Sequence, residues 1–247
     1  MSFDVKDKIA LVTGANRGIG KAIVESLIQH GAKKVYLAVR DVKSTNTLVA
    51  EFGDLVAPLY VDLSVTKSIK SLAKTASDTQ LVVNNAGILK LADPLNDDVE
   101  EAFNQELTVN TFGLIRMAKA FIPVLEQNGG GAFVQLNSVA SIKNFAGFST
   151  YSASKAAAYS LTQGLRDQVA DKNIQVLSVH PGPIATDMAN EAGMGEMGEP
   201  TSVVSEGIVK ALSAGDFHLF PDTMAQQFWA AYQGYAAGIV EADLSEG

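Results

Sequence analysis

Short apolar runs alternate with longer amphipathic stretches through most of the chain, and the first such unit limits the fold most tightly. Residues 8–13, from Lys8 to Thr13, form an apolar run that ends directly in a turn carrying Gly14, Gly18 and Gly20. From Lys21 to His30 the apolar positions Ala22, Ile23, Leu27 and Ile28 are spaced for a helix, and Gly31 closes it. A strand, a glycine turn and a helix in immediate succession predict a βα unit whose backbone can approach a pyrophosphate. Free N–H groups and the dipole at the helix N-terminus would favour that anion. The glycine spacing is G-x-x-x-G-x-G rather than G-x-G-x-x-G.

The alternation continues. Strands are expected at 34–39, 55–61, 80–83, 132–137, 174–180 and 217–220. Helices are expected at 66–76, through 98–127, from Tyr151 to about Asp171, and from Val203 to Leu212. Strands separated by helices of this length pair in parallel, so the expectation is α/β: a Rossmann-type doubly wound sheet of about seven parallel strands with helices on both faces. With 247 residues, 47% of them hydrophobic, the chain is long enough for one domain with a sizeable core, and we expect 1–247 to be a single dinucleotide-binding and catalytic domain.

Composition excludes some functions. A net charge of −8 with scattered Lys and Arg gives no basic face for nucleic acid, and no stretch is apolar enough to span a membrane. The N-terminal residues lack an apolar signal core and there is no cysteine, so a cytoplasmic protein is expected. His30, His180 and His218 stand far apart with no ligand-like spacing, so no metal is expected.

Ligands of such a sheet gather beyond the carboxyl ends of its strands. Gly14, Arg40, Asp62, Asn84, Ser138 and Pro181 all fall just past expected strand ends. The second strand ends at Val39, which cannot accept hydrogen bonds from a ribose, whereas Arg40, helped by Arg17, can pair with a 2′-phosphate; NADP(H) is therefore favoured over NAD(H). Asp41, 21 residues after Gly20, keeps a ribose contact open if the strand runs longer.

Tyr151 and Lys155 are four apart at the start of a helical run, so a phenol and an ammonium share one face. The pair alone is weak: six tyrosines and fifteen lysines produce roughly 0.4 such spacings by chance. Its surroundings carry the weight.

Thr13-Gly14-x-x-x-Gly18-x-Gly20, Asp62, Asn84-Asn85-Ala86-Gly87, Asn110, Ser138, Tyr151-x-x-x-Lys155 and Pro181-Gly182 with Thr186 stand in order, with thirteen positions from Ser138 to Tyr151. In these residues, over roughly 8–215, the chain resembles the short-chain dehydrogenase/reductase family in its single-domain form. The resemblance implies a catalytic tetrad of Asn110, Ser138, Tyr151 and Lys155. It implies a dinucleotide site at Gly14, Asn16, Arg17, Gly18, Ile19, Gly20, Arg40, Asp62, Leu63, Asn85, Ala86, Gly87, Tyr151, Lys155, Pro181, Gly182, Ile184 and Thr186. Within it, Asp62 would meet the adenine edge, Thr186 the nicotinamide carboxamide, and Asn84 to Gly87 would brace the central sheet. The four-residue Tyr–Lys spacing resembles carbonyl/alcohol oxidoreductases rather than enoyl-thioester reductases. A homodimer or homotetramer is also implied.

The groups themselves support a mechanism. A phenol can protonate the oxygen of a carbonyl that receives hydride, provided its pKa falls from about 10. Lys155 and an oxidised nicotinamide would both favour that fall. Ser138 would orient the carbonyl, and Asn110 would hold a water that refills protons through Lys155. The substrate is expected against Ser138, Phe145, Tyr151 and Met188, with Phe148 nearby. The loop 183–200, with Met188, Met194, Met197 and three glycines, reads as a mobile apolar lid. The expectation is an NADPH-dependent carbonyl (ketone or aldehyde) reductase for an apolar or aromatic small molecule, reversible toward alcohol oxidation. Its rivals are an NAD-dependent alcohol dehydrogenase and a non-catalytic dinucleotide sensor. The tail 221–247 departs from the family's frequent glycine-rich ending; its aromatics Phe228, Trp229, Tyr232 and Tyr235 are expected to pack, followed by an acidic stretch from Glu241 to Glu246.

Overall fold

The computed structural model describes residues 2–242, so the acidic end of the tail beyond Ala242 lies outside the described residues. Seven parallel strands form one sheet in the order β3-β2-β1-β4-β5-β6-β7. They are β1 Ile9–Thr13, β2 Lys34–Val39, β3 Val56–Tyr60, β4 Leu81–Asn84, β5 Gly131–Leu136, β6 Ile174–Val179 and β7 His218–Leu219. The chain winds outward from β1 to β3, then returns to lay β4 on the other side of β1, so a crevice opens where the winding reverses.

Side-chain alternation builds two cores on this sheet. Ala10 and Val12 of β1, Leu81 and Val83 of β4, and Ala132 and Val134 of β5 face one layer, where Ile23, Val24 and Leu27 of α1 (Gly18–Gln29) meet Val204, Ile208 and Leu212 of α8 (Ser202–Ala214). Leu11, Val82 and Phe133 face the other. There they meet Ile69 and Leu72 of α3 (Thr66–Thr75), Met117 and Phe121 of α5 (Phe112–Gln127), and Ala158 of α6 (Ser149–Gln168). Both faces being covered explains why these strands read as continuous apolar runs.

Three regions differ from expectation. Residues 42–52 are helical, as a 3₁₀ turn Val42–Thr45 followed by α2 (Asn46–Phe52); their apolar residues are too few for the period to be legible. The stretch expected as one helix through 98–127 is α4 (Val99–Glu106), a π-helical turn Leu107–Thr111, and α5. The wide turn surrounds Asn110, whose side chain is bonded outside the helix. After a five-residue helix, α7 (Asp187–Glu191), and β7, the tail forms α9 (Thr223–Tyr235), and its aromatics do pack. No helix among the described residues is long and apolar enough to cross a membrane.

Candidate active site

A cleft of about 710 Å³ runs along the carboxyl ends of the strands, from the glycine turn to Tyr151. A second depression of about 950 Å³ is lined by Asp97, Asp98, Glu100 and Glu101 and holds none of the tetrad. Arg40 borders this depression too, but its four carboxylates outnumber that one cation and leave it acidic.

The dinucleotide end is backbone. Gly14 and Gly18 take φ of +65° and +53°, which a side chain would strain. A Cβ on Gly14 would lie 3.1 Å from Asn85 and 3.2 Å from Ala86, and one on Gly18 would lie 3.2 Å from Thr186. Helix α1 starts at Gly18 with no side-chain cap and no acid in its first turn, so its first N–H groups are free to receive an anion. Thr13 Oγ1 accepts from Asn85 N and Ala86 N at 2.9 and 3.0 Å, and Asn84 Nδ2 donates to Gln135 Oε1 at 2.7 Å; these bonds tie β1, β4 and β5 at the crevice.

Val39 ends β2 buried, and Arg40 is exposed at the cleft. Asp41 also borders it, but its carboxylate accepts from Lys43 N at 3.0 Å and caps the 3₁₀ turn. Ser44, which the sequence reading missed, reaches the same edge because that turn carries it there. Arg17 is ion-paired with Asp187 across the glycine turn, with both side chains more than 60% exposed. Asp62 accepts from Ser64 Oγ at 2.6 Å and Ser64 N at 2.8 Å. The Ser64 hydroxyl above all, with Arg40's charge adding less, holds its carboxyl below the usual range, so it stays an acceptor. An acceptor there, a free helix N-terminus, two left-handed glycines and an exposed arginine beside an apolar strand end fit a dinucleotide.

At the other end lie Tyr151 and Lys155, on successive turns of α6 and both nearly inaccessible. Lys155 Nζ is 5.7 Å from the Tyr151 ring centroid and donates to Leu136 O at 2.7 Å. Asn110 Oδ1 and Lys155 Nζ converge on Gly87, at 3.1 and 3.5 Å from where a Cβ would stand. Ser138 follows β5, half-buried, its hydroxyl accepting from Ala140 N at 3.1 Å and donating to Pro181 O at 3.3 Å.

Two expectations about these groups change. Burial pushes the Tyr151 phenol up, to about 12, offset in part by the Ser138 hydroxyl, and the charge of Glu106 adds to the rise. Burial likewise pushes Lys155 down, to about 8. The lowering expected from Lys155 together with an oxidised nicotinamide does not show in the protein by itself, where desolvation penalises both charged forms. Asn110 spends both amide hydrogens, on Ile88 O and Ser154 Oγ, and accepts from Ile88 N, so its side chain clamps the loop after β4. One lone pair on Oδ1 remains for a water.

Phe145, Phe148, Met188, Met194 and Met197 line the same end, as do Val139 and Ala140. Met224 joins them from α9. Nothing near it in sequence marks it; only the packing of the tail does. Thr186 caps α7, accepting from Ala189 N at 3.3 Å and donating to Ile184 O at 3.1 Å. Folding also brings His180 and His218 to 5.8 Å between ring centroids, which their sequence separation hid. His180 is bonded to Ser141 and Ser178, and His218 to Tyr159 and Glu241, so no ring nitrogen is left for a metal.

Residues 8–196 match the short chain dehydrogenase family. The chain is 30% identical over 222 residues to a 3-oxoacyl-[acyl-carrier-protein] reductase of Vibrio harveyi, covering 82% of this chain and 89% of that one. It is 29% identical over 191 residues to an NADP-dependent 3-hydroxy acid dehydrogenase of Schizosaccharomyces pombe, covering 74% of this chain and 73% of the relative. Among solved structures, a short chain dehydrogenase from Burkholderia cenocepacia in complex with NADP superposes with a TM-score of 0.85 at 31% identity, over 98% of this chain and all of that one.

Proposed function

The chain belongs to the short-chain dehydrogenase family, and from that premise we propose that it is an NADPH-dependent reductase of uncharged, apolar ketones or aldehydes, reversible toward the alcohol. The observation that carries this reading is the buried convergence of Tyr151, Lys155, Ser138 and Asn110 at the end of a cleft whose other end presents α1's free N-terminus and Arg40. NADPH, when bound, supplies the hydride. Tyr151 holds the proton that the carbonyl oxygen takes as charge grows on it; burial, which raises the phenol to about 12, keeps it protonated, and the positive charge of the nicotinamide as it becomes oxidised would draw the phenol down as the proton is given. Ser138, turning its hydroxyl away from Pro181 O, donates to the same oxygen and orients the carbonyl. Lys155 keeps its ammonium beside the phenol and returns protons through the Asn110 side of Gly87.

Preference for NADPH over NADH is supported by Val39 at the strand end, Arg40 beyond it and the capping bond that occupies Asp41. The NADP held by the Burkholderia relative and the NADP named for the yeast relative agree with it. The apolar lining supports an uncharged substrate. At the carbonyl end the lining cation is Lys155, which is bonded to a backbone carbonyl, while Arg17 and Arg40 lie at the dinucleotide end, so among the described residues no free lining cation stands beside Tyr151 to await a carboxylate. A homodimer or homotetramer is part of the same proposal; exposed Phe112 on α5 and Leu161 on α6 offer apolar surface for it.

The test is steady-state kinetics of purified protein on a panel of ketones, aldehydes and alcohols with each cofactor. NADPH-dependent reduction of apolar ketones with at least tenfold better kcat/KM than with NADH is expected. Equal use of NADH would remove the Arg40 reading, and no turnover across the panel would remove the enzyme reading in favour of a dinucleotide sensor.

A further inference from the structure

The tail helix is fastened to the catalytic end of the cleft at three levels. Asp222 is 1% exposed; one of its oxygens accepts from Gly182 N at 2.7 Å and the other from Ala225 N at 3.0 Å. A Cβ on Gly182 would stand 2.5 Å from this carboxylate and 3.3 Å from Met224 Cβ, so the turn after β6 meets the start of α9 with no room for a side chain at 182. Thr223 N donates to Glu199 Oε1 at 2.7 Å, and the backbone of Glu199 pairs with Pro183 O and Ala185 N. Both stems of the loop 183–200 are thereby joined to the helix. Behind these bonds Phe228 stacks on Phe145 at 6.4 Å, Phe145 on Phe148 at 5.3 Å, and Phe148 meets Tyr151 edge-on at 6.1 Å.

These contacts bring Met224 into the cleft, so four of the chain's six methionines line it. Thioethers pack favourably against aromatic rings and adapt to their outline. We propose that α9 is a specificity wall: Met224 packs the ring of an aryl ketone against the Phe145–Phe148 side, and Asp222 is the positioning residue that holds the wall in place. This assigns a substrate class, aryl ketones, and rests on the carbonyl-reductase reading above. The loop's stems, rather than its methionine-bearing middle, carry the bonds to α9, so the wall does not depend on where that middle lies.

The experiment uses the full-length chain with two ketones, 2-acetylnaphthalene and 2-butanone. Steady-state kinetics with NADPH are paired with calorimetric binding of 2-acetylnaphthalene to protein saturated with NADP⁺. Met224→Ala is expected to lower the kcat/KM ratio of naphthyl ketone to butanone about tenfold, the loss carried by KM, and to weaken calorimetric binding to the same degree; Met224→Leu restores most of both. Asp222→Ala is expected to produce the same loss of selectivity and to red-shift the emission of Trp229, the chain's only tryptophan, which stacks on Phe220 at 5.1 Å. Asp222→Asn, which keeps an acceptor, recovers part of each. If Asp222→Ala does not fold, Met224→Ala decides alone. A Met224→Ala protein with unchanged selectivity and affinity overturns the wall. If wild type reduces no ketone, the proposed function fails, and binding then decides the wall separately: naphthyl ketone bound by wild type and lost in Met224→Ala supports it, and no binding by wild type sinks it.

Discussion

At the dinucleotide end of the cleft most contacts come from backbone in two short segments, the turn from Gly14 to Gly20 and the loop from Asn85 to Gly87, with the Arg40 and Asp62 side chains at the edge. At the carbonyl end they come from side chains in 138–155, in the loop 183–200 and in the tail helix, segments separated by tens of residues. The difference teaches where each kind of specificity is stored. On the proposed reading, a pyrophosphate would be recognised by conformations that glycines permit locally, whereas a carbonyl substrate would meet a surface that exists only after packing.

The comparison is open to four tests. Largest is Tyr151→Phe, which removes the phenolic proton and little volume. Turnover is expected to fall at least about a hundredfold while NADPH affinity, measured by calorimetry, stays near wild type; unchanged turnover would take proton transfer away from the carbonyl end altogether.

Next comes acid stability. His180 is fully buried beneath Ser138, and burial above all, with His218's charge adding to it, pushes it down to about 3 from 6.5. The unfolded chain therefore binds a proton in the window from about 6.5 to about 3 that the folded chain refuses. Folding stability is present above that window and is lost as pH falls through it, by about 1.4 kcal/mol per pH unit from this residue. Urea unfolding across pH should show this slope and a flatter one in His180→Asn; identical slopes would mean that the neutral histidine does not underpin the Ser138 loop.

Cofactor choice should respond less. Arg40→Ala is expected to cost about tenfold in kcat/KM with NADPH and little with NADH, as loss of one charge-assisted contact would. Equal losses would assign Arg40 to general shaping of the cleft. Smallest is Arg17→Ala. Its pair with Asp187 is solvent-exposed and worth about 0–1 kcal/mol, so the NADPH/NADH ratio should change by less than a few-fold. A larger change would show that Arg17 exchanges its aspartate for the phosphate and shares the role of Arg40.

How far each region was legible follows from the same physics. The glycine turn, the seven strands and the Ser138–Tyr151–Lys155 spacing were readable, since each is written in local conformation or in helical and strand periods. The 3₁₀ turn that carries Ser44 was not, because its few apolar residues show no period. Neither was the π turn at Asn110, which is held by bonds to Ile88 and Ser154 from other elements. The rise of the Tyr151 phenol in the protein by itself was illegible for a related reason. The neighbouring lysine is visible in sequence, but the burial that outweighs it is not.

By itself, then, the sequence determined a doubly wound sheet with a dinucleotide turn and a tyrosine–lysine pair at its carboxyl edge, because backbone permission and side-chain period act over a few residues. Tertiary structure alone decided that the tail closes the substrate end. Asp222 meets Gly182 across forty residues of chain, and Met224 lines the cleft only because Phe228 and Trp229 find aromatic partners in half-buried Phe145 and buried Phe220. Packing of that kind depends on which surfaces the folded sheet brings together, and no local pattern specifies it.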